Sequence, residues 1–395
     1  MNITSSFFVG SQYRGVTLTK HLRPEGIRLT DVEFAVLRHI RRYPGQSRTQ
    51  IARHLGVSKS LLTKAAGNFR AIGLVREERS VPQSGERGQP AVRMWLMKDA
   101  YHTIGIHLSG TQYSLVRTDL DGNVVEVRLP SIEGEIDAIV ETILHNVRDL
   151  LETSQVPVLG IGMAIPAIVN EDGALFEVTP TQAKLPFQRL ANAMTDHFDL
   201  PVYWDNGAYC IASFEAQRSG TSSKCLFYIT LDFGIGGGAV YESRLLRGGF
   251  NQAANIGALL PETGPRPNLV DLAHYLDVSL EVLNEPYLTG LLKQNDRKLG
   301  DWICERGRLL SSPLASVVQL INPDTIILGG FFPREILELM LAQIDLGILD
   351  TEGRKPLTKP DLRVATLLGS SGLAQASALL PISARLLGQR MISAC

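Results

Sequence analysis

The first hundred residues carry a helical period and then a strand period. Val32, Phe34, Ala35, Leu37 and Ile40 recur at helical spacing, and Pro44-Gly45 stops that run. Ser47 opens S-R-T-Q, a capping residue with glutamine three positions on, the capping-box arrangement that starts a helix. That helix puts Ile51, Ala52 and Leu55 on one face and ends at Gly56. Ser58 caps a third helix, SKSLLTKAAGNFRAIG, in which Leu61, Leu62, Ala65 and Phe69 read as the inward positions. LVREE and AVRMWLM then read as two short strands on either side of a polar loop. Three helices with a tight glycine turn, followed by a hairpin, predict a winged helix-turn-helix.

Further on, YHTIGIHLSG, TQYSLVRTDLDG and NVVEVRLP alternate apolar and polar residues, and Asp121-Gly122 supplies a hairpin turn, so three antiparallel strands are expected. A helix is predicted over 135–153, a buried strand in VLGIGMAIP, a helix over 186–198 and a strand in VYWDN. SKCLFYITLDFGIGGGAVYESRLLRGG predicts a strand, a Gly-rich turn and a second strand, and later helices alternate with the buried strand DTIILGG. One plan used twice predicts a two-lobed α/β domain with a ligand cleft between the lobes. The expected organisation is a tail over 1–29, a winged head over 30–98 and the two-lobed domain over 99–395.

Charge sharpens the reading of the head. The whole chain balances 39 Lys and Arg against 40 Asp and Glu, which excludes a general nucleic-acid coat. Between Arg38 and Arg79, however, ten basic residues face only Glu77 and Glu78, a local footprint for phosphate. With the third helix in a major groove, Ser58, Lys59, Ser60, Thr63 and Lys64 would meet bases and phosphates. Arg48 and Gln50 would touch the backbone, and Arg87 in the wing between Arg79 and Ala91 would probe a phosphate or the minor groove. A protein-binding three-helix unit is the plainer alternative; basic excess coinciding with turn geometry favours DNA.

Other chemistry is sparse. Cys210, Cys225, Cys304 and Cys395 are widely spaced and fit neither a disulfide framework nor a zinc loop. The eight histidines form no His-Glu-x-x-His pattern, so neither metal nor cofactor is expected. Phe7, Phe8 and Val9 make too short a run for a signal peptide, and no run approaches the ~20 apolar residues of a membrane span. A cytoplasmic protein without membrane contact is expected.

Several segments together resemble the ROK family of sugar kinases and sugar-responsive repressors. GIHLSGTQYSLVRTDLDGNVV resembles its first glycine hairpin, GIGMAIPAIVNEDG its Gly-Ile-Gly…Pro strand, and YWDNGAYCIASFEA its strand-to-helix site segment. TLDFGIGGGAVYESRLLRGG, QLINPDTIILGG and LLGSSGLAQASALL are similar to its later glycine motifs, and Gly85–Pro90 to the wing of the repressor branch. The resemblance implies a duplicated ribonuclease-H fold of actin-like or hexokinase-like type.

It also implies what a kinase on this fold requires, and this chain departs at each point. His107 stands at the acid of the first hairpin, and Gly207 at the catalytic aspartate that would accept the sugar hydroxyl proton. Phe233 stands where a threonine would face the phosphates, and Asn255-Ile256-Gly257-Ala258 replaces Glu-Ile-Gly-His. ETGPRPNLVDL lacks the cysteines of the family's zinc loop.

What remains for an effector is Asp205, Asn206, Asn255 and Asp271, whose amides and carboxylates suit sugar hydroxyls, with Trp204 or Phe233 as an apolar face. The plainer role for the two asparagines is to satisfy turn backbones. The expectation is a non-enzymatic, sequence-specific DNA-binding repressor. It would bind an operator as a homodimer or homotetramer and answer to a sugar or sugar-derived effector. The alternatives are a ROK-type sugar kinase with an appended regulatory domain, against which Gly207 counts, and a ligand-independent DNA-binding or scaffold protein.

Overall fold

The computed structural model describes residues 27–79, 91–109, 112–130, 135–169, 175–178, 187–218, 223–347 and 358–393. The head begins with α1 (Asp31–Arg42), where Thr30 and Glu33 form a capping box. The expected box at Ser47 and Gln50 starts α2 (Arg48–Leu55), and Gly56 closes it in the left-handed region at φ 66°. Ser58 caps α3 (Lys59–Ala71) by accepting from Leu61 N at 3.2 Å. An antiparallel hairpin of β1 (Val75–Arg79) and β2 (Val92–Leu96) follows. Leu62, Ala65, Ala66 and Phe69 are buried against α1 and α2. Leu61 is not: it is 47% exposed and lies outside the core cluster, which corrects the expected inward position. The buried stripe on α3 is centred between Ala65, Ala66 and Phe69, and Leu61 falls on its flank.

The first lobe is a five-stranded sheet ordered β5-β4-β3-β6-β9. It comprises β3 (His102–Ser109), β4 (Gln112–Thr118), β5 (Val124–Arg128), β6 (Val158–Ile165) and β9 (Val202–Asn206). Helix α4 (Ile136–Glu152) and the later α5 (Phe187–Phe198) cover one face, and β7 (Ala167–Val169) pairs with β8 (Leu175–Val178) beside it. Helix α6 (Gly207–Gln217) leads to the second lobe, built on β10 (Cys225–Leu231), β11 (Ile235–Tyr241), β12 (Arg244–Leu245), β13 (Thr325–Gly330) and β14 (Asp361–Val364). Its order, β12-β11-β10-β13-β14, repeats that of the first lobe: three antiparallel strands, then two parallel ones. The helices of this lobe are α7 (Leu269–Leu276), α8 (Glu285–Lys293), α9 (Arg297–Leu309), α10 (Ser311–Leu320) and α11 (Arg334–Leu341).

Two helices join the lobes. Helix α12 (Gly369–Ser377) presses on the first sheet so closely that a Cβ at Gly105 or Gly162 would stand 1.9 Å from the carbonyl oxygen of Ala374 or Ser377. Helix α13 (Leu379–Arg385) continues it along β6, and α6 packs on β11. One apolar cluster runs from α1–α3 through Leu120, α6, α12 and α13, so the head is seated on the body.

That seat takes three residues of the basic stretch. Arg38 donates to the carbonyl of Leu387, Arg41 to Gln217 Oε1 at 3.2 Å, and Arg42 to Ser243 Oγ at 2.8 Å and Ser223 O at 2.9 Å. Burial pushes Arg41 down to about 10, with Asp121 and Asp119 working to hold its charge. These guanidiniums face the body, so the ten-residue basic count overstates the phosphate-binding face.

Candidate functional site

On the head, the predicted contact residues divide. Arg48 is committed to Glu77, with Nε and Nη2 each 2.5 Å from a carboxylate oxygen, and Arg70 Nε approaches the same group at 3.4 Å. Gln50 is used by the capping box, Ser58 by the helix cap, and Thr63 Oγ1 donates to Lys59 O at 2.8 Å. Arg53, Lys59, Ser60 and Lys64 are exposed, and the three cations make no salt bridge among the described residues. Arg87 and the rest of the wing loop lie outside the described residues.

In the cleft, β9 ends at Asp205-Asn206 and α6 begins at Gly207. Asp205 is 3% exposed, and Arg247, just past β12 in the second lobe, pairs with both of its oxygens, Nη1 lying 3.2 Å from Oδ1. Burial works against the Arg247 charge, yet Asp205 holds its pKa above the ordinary arginine value. Arg247 also donates to Asn251 Oδ1 at 3.0 Å, and Asn251 Nδ2 donates to the carbonyl of Val169 on β7. Tyr209 of α6 donates to Ala253 O at 2.7 Å, with the Arg247 guanidinium 5.6 Å from its ring centre. Segment 247–253 is thus stapled across the cleft. Within it Asn251 takes a positive φ of 58°.

Asn206 takes the plainer role: its Oδ1 caps α6 through Ala208 N at 2.9 Å, and Nδ2 donates to Ala167 O at 3.1 Å. Asn255 is exposed, at the start of the 3-10 turn Ile256–Leu259, without a side-chain capping bond. Asp271 is elsewhere, tying α7 to α9 by accepting from Trp302 Nε1 at 2.6 Å, Arg306 Nε at 2.7 Å and Arg266 N at 3.1 Å. Trp204 is buried within the first lobe's core and offers no face to the cleft. Asp271→Ala would strand a buried indole N–H and part of a buried guanidinium, so the unfolding free energy should fall by about 2 kcal/mol. An unchanged denaturant midpoint would show that the bonds from Trp302 and Arg306 are dispensable.

Where the resemblance implies phosphates, three rings stand in a row. His107 lies 5.9 Å from Phe331, and Phe331 6.2 Å from Phe233, a row crossing from one lobe to the other. His107 Nδ1 is 2.9 Å from Ser370 Oγ, to which Ser114 also donates. Burial drives His107 down to about 3 from its ordinary 6.5. The unfolded chain therefore protonates first, and this part of the stability is complete above about pH 6.5 and is lost as pH falls toward 3. Asp232, pushed up to about 7 by burial, has the opposite slope. His107→Gln should accordingly have a shallower acid loss than the parent in urea midpoints between about pH 7 and 4. Equal slopes would mean that the imidazole is solvated. At Gly207 a Cβ would stand 3.0 Å from Leu373 Cδ2, so a side chain there meets α12.

In the stretch ETGPRPNLVDL, Arg266 donates to the carbonyls of Gly257 at 2.9 Å, Leu260 at 3.4 Å and Pro261. Among the described residues no three His, Cys, Asp or Glu groups are placed to hold a metal ion, and no helix is long and apolar enough to cross a membrane.

A MarR family profile matches residues 29–83 and a ROK family profile residues 103–268. The chain carries a ROK family domain and, on its N-terminal side, a MarR-like winged helix. It is 23% identical over 357 residues to the xylose repressor of Lactiplantibacillus pentosus, covering 86% of this chain and 90% of that one. The crystal structure of a ROK family transcriptional regulator, described as a homologue of the E. coli Mlc protein, covers 91% of this chain and 98% of its own, at TM-score 0.65 and 18% identity. A ROK glucokinase from Streptomyces griseus, solved with glucose and AMPPNP, covers 70% of this chain and 98% of its own, at TM-score 0.57 and 22% identity.

Sequence reasoning missed Arg247, Asn251, Tyr209 and Phe331. Arg247 carried one signal, a lone cation inside the apolar and glycine-rich run LLRGGF.

Proposed function

We propose that this protein is a cytoplasmic DNA-binding repressor whose two-lobed domain senses a sugar or sugar derivative and carries out no phosphoryl transfer. What supports this reading is an exposed basic face on α3 together with a row of rings, His107, Phe331 and Phe233, at the positions where the resemblance implies phosphate contacts. A head over 30–98 would read an operator, and a body over 99–395 would take the effector at the cleft where Asp205 of the first lobe meets Arg247 of the second. Helix-turn-helix readers commonly act as dimers on paired half-sites, and a homodimer or homotetramer suits this one.

A lever joins the two ends. Helix α6 starts at the Asp205–Arg247 clamp, and its last residue, Gln217, about 16 Å away, receives the Arg41 hydrogen bond from α1. An effector that loosens or tightens the clamp would shift α6 and with it the seat of the head. Control then requires only that it bind one head placement better than the other.

The test is a panel of pentoses, hexoses and their phosphates, read by melting temperature, by release of a selected operator duplex and by ATP consumption. One sugar class should raise the melting temperature and weaken duplex binding, with no ATP consumed. Formation of a sugar phosphate from any sugar and ATP would overturn the reading in favour of a kinase.

A further inference from the structure

We propose that Leu61 reads a thymine methyl group in the major groove, an inference that rests on the head being a DNA reader. Leu61 is the third residue of α3, 47% exposed, and it makes no part of the core cluster. Lys59 lies two residues before it and Lys64 three residues after it, so it shares the opening turns of the helix with two exposed cations. The first turns of such a helix are the part that reaches base edges, while ammonium groups settle on phosphates.

Two of the three hydroxyls at this end are already engaged, which leaves Leu61 and Ser60 as the free neighbours at the start of the helix. The Ser58 hydroxyl is occupied as the helix cap, and the Thr63 hydroxyl is turned back onto Lys59 O. Among base edges in the major groove, the C5 methyl of thymine is the apolar feature, and a leucine side chain matches it in kind. A second copy of this chain is a poorer occupant. A twofold contact through Leu61 would bring the neighbouring Lys64 of each copy into one interface.

The probe is a duplex that the full-length wild-type chain selects from a random pool, remade with each thymine in turn replaced by uracil, which lacks only the methyl. For the wild type, one uracil position per head should lower affinity about fourfold, the equivalent of one methyl left unburied. Leu61→Ala should bind the thymine duplex about fourfold more weakly, show no further loss at that position and keep the wild-type salt slope. Indifference of the wild type to every uracil, or a full uracil penalty persisting in Leu61→Ala, would overturn the assignment and leave DNA binding intact. A changed sedimentation coefficient with a uniform loss on all duplexes would assign Leu61 to contact between copies and overturn it too. Failure of the wild type to select any duplex would overturn both this inference and the DNA-binding reading beneath it.

Discussion

Arg247→Met should lower the unfolding free energy by about 3–5 kcal/mol, because it leaves the buried Asp205 carboxylate without its counter-charge. For a body of this size that corresponds to a melting midpoint lower by roughly 5–10 °C. The loss comes from the stranded charge, and the pair itself need contribute little. Asp205→Asn combined with Arg247→Met should therefore be more stable than Arg247→Met alone, since the amide still accepts from Asn206 N and carries no charge. The same guanidinium ties segment 247–253 to the first lobe, so amides there should exchange faster with solvent in the single variant. An unaltered midpoint would mean that water already reaches Asp205 and that the cleft is not clamped.

The second large effect belongs to the head. Replacing Lys59 and Lys64 together with alanine should weaken binding to a selected duplex by roughly 10- to 100-fold at moderate salt. It should also reduce the log–log salt slope by about two per head. Both side chains are exposed on α3, so the melting temperature should stay put. Preserved affinity would remove α3 as the reading helix.

Local signals of the fold were plain in the sequence wherever one residue decides them. Ser47 with Gln50, Ser58, Gly56 and Asp121-Gly122 each satisfy or bend backbone within a few positions, and the structure puts a cap or turn at each. The doubled strand plan was visible for the same reason, through alternation. The site was less legible because its partners are far apart in the chain. Nothing near Asp205 announces that Arg247 will occupy its carboxylate, nor near Asp271 that Trp302 and Arg306 will.

Charge counting failed in an instructive way. Arg38, Arg41 and Arg42 add to the basic stretch but bond to groups between 176 and 349 residues away, which composition cannot see. Leu61 misled through periodicity: one position on the flank of a helical stripe separates a core leucine from a surface one.

The most direct test of the central claim is the ratio of affinities for a selected duplex and for a scrambled duplex of equal length, at physiological salt. A sequence-specific repressor should favour the selected duplex by at least about 10³-fold. Equal affinities for the two, or no measurable binding to either, would contradict it.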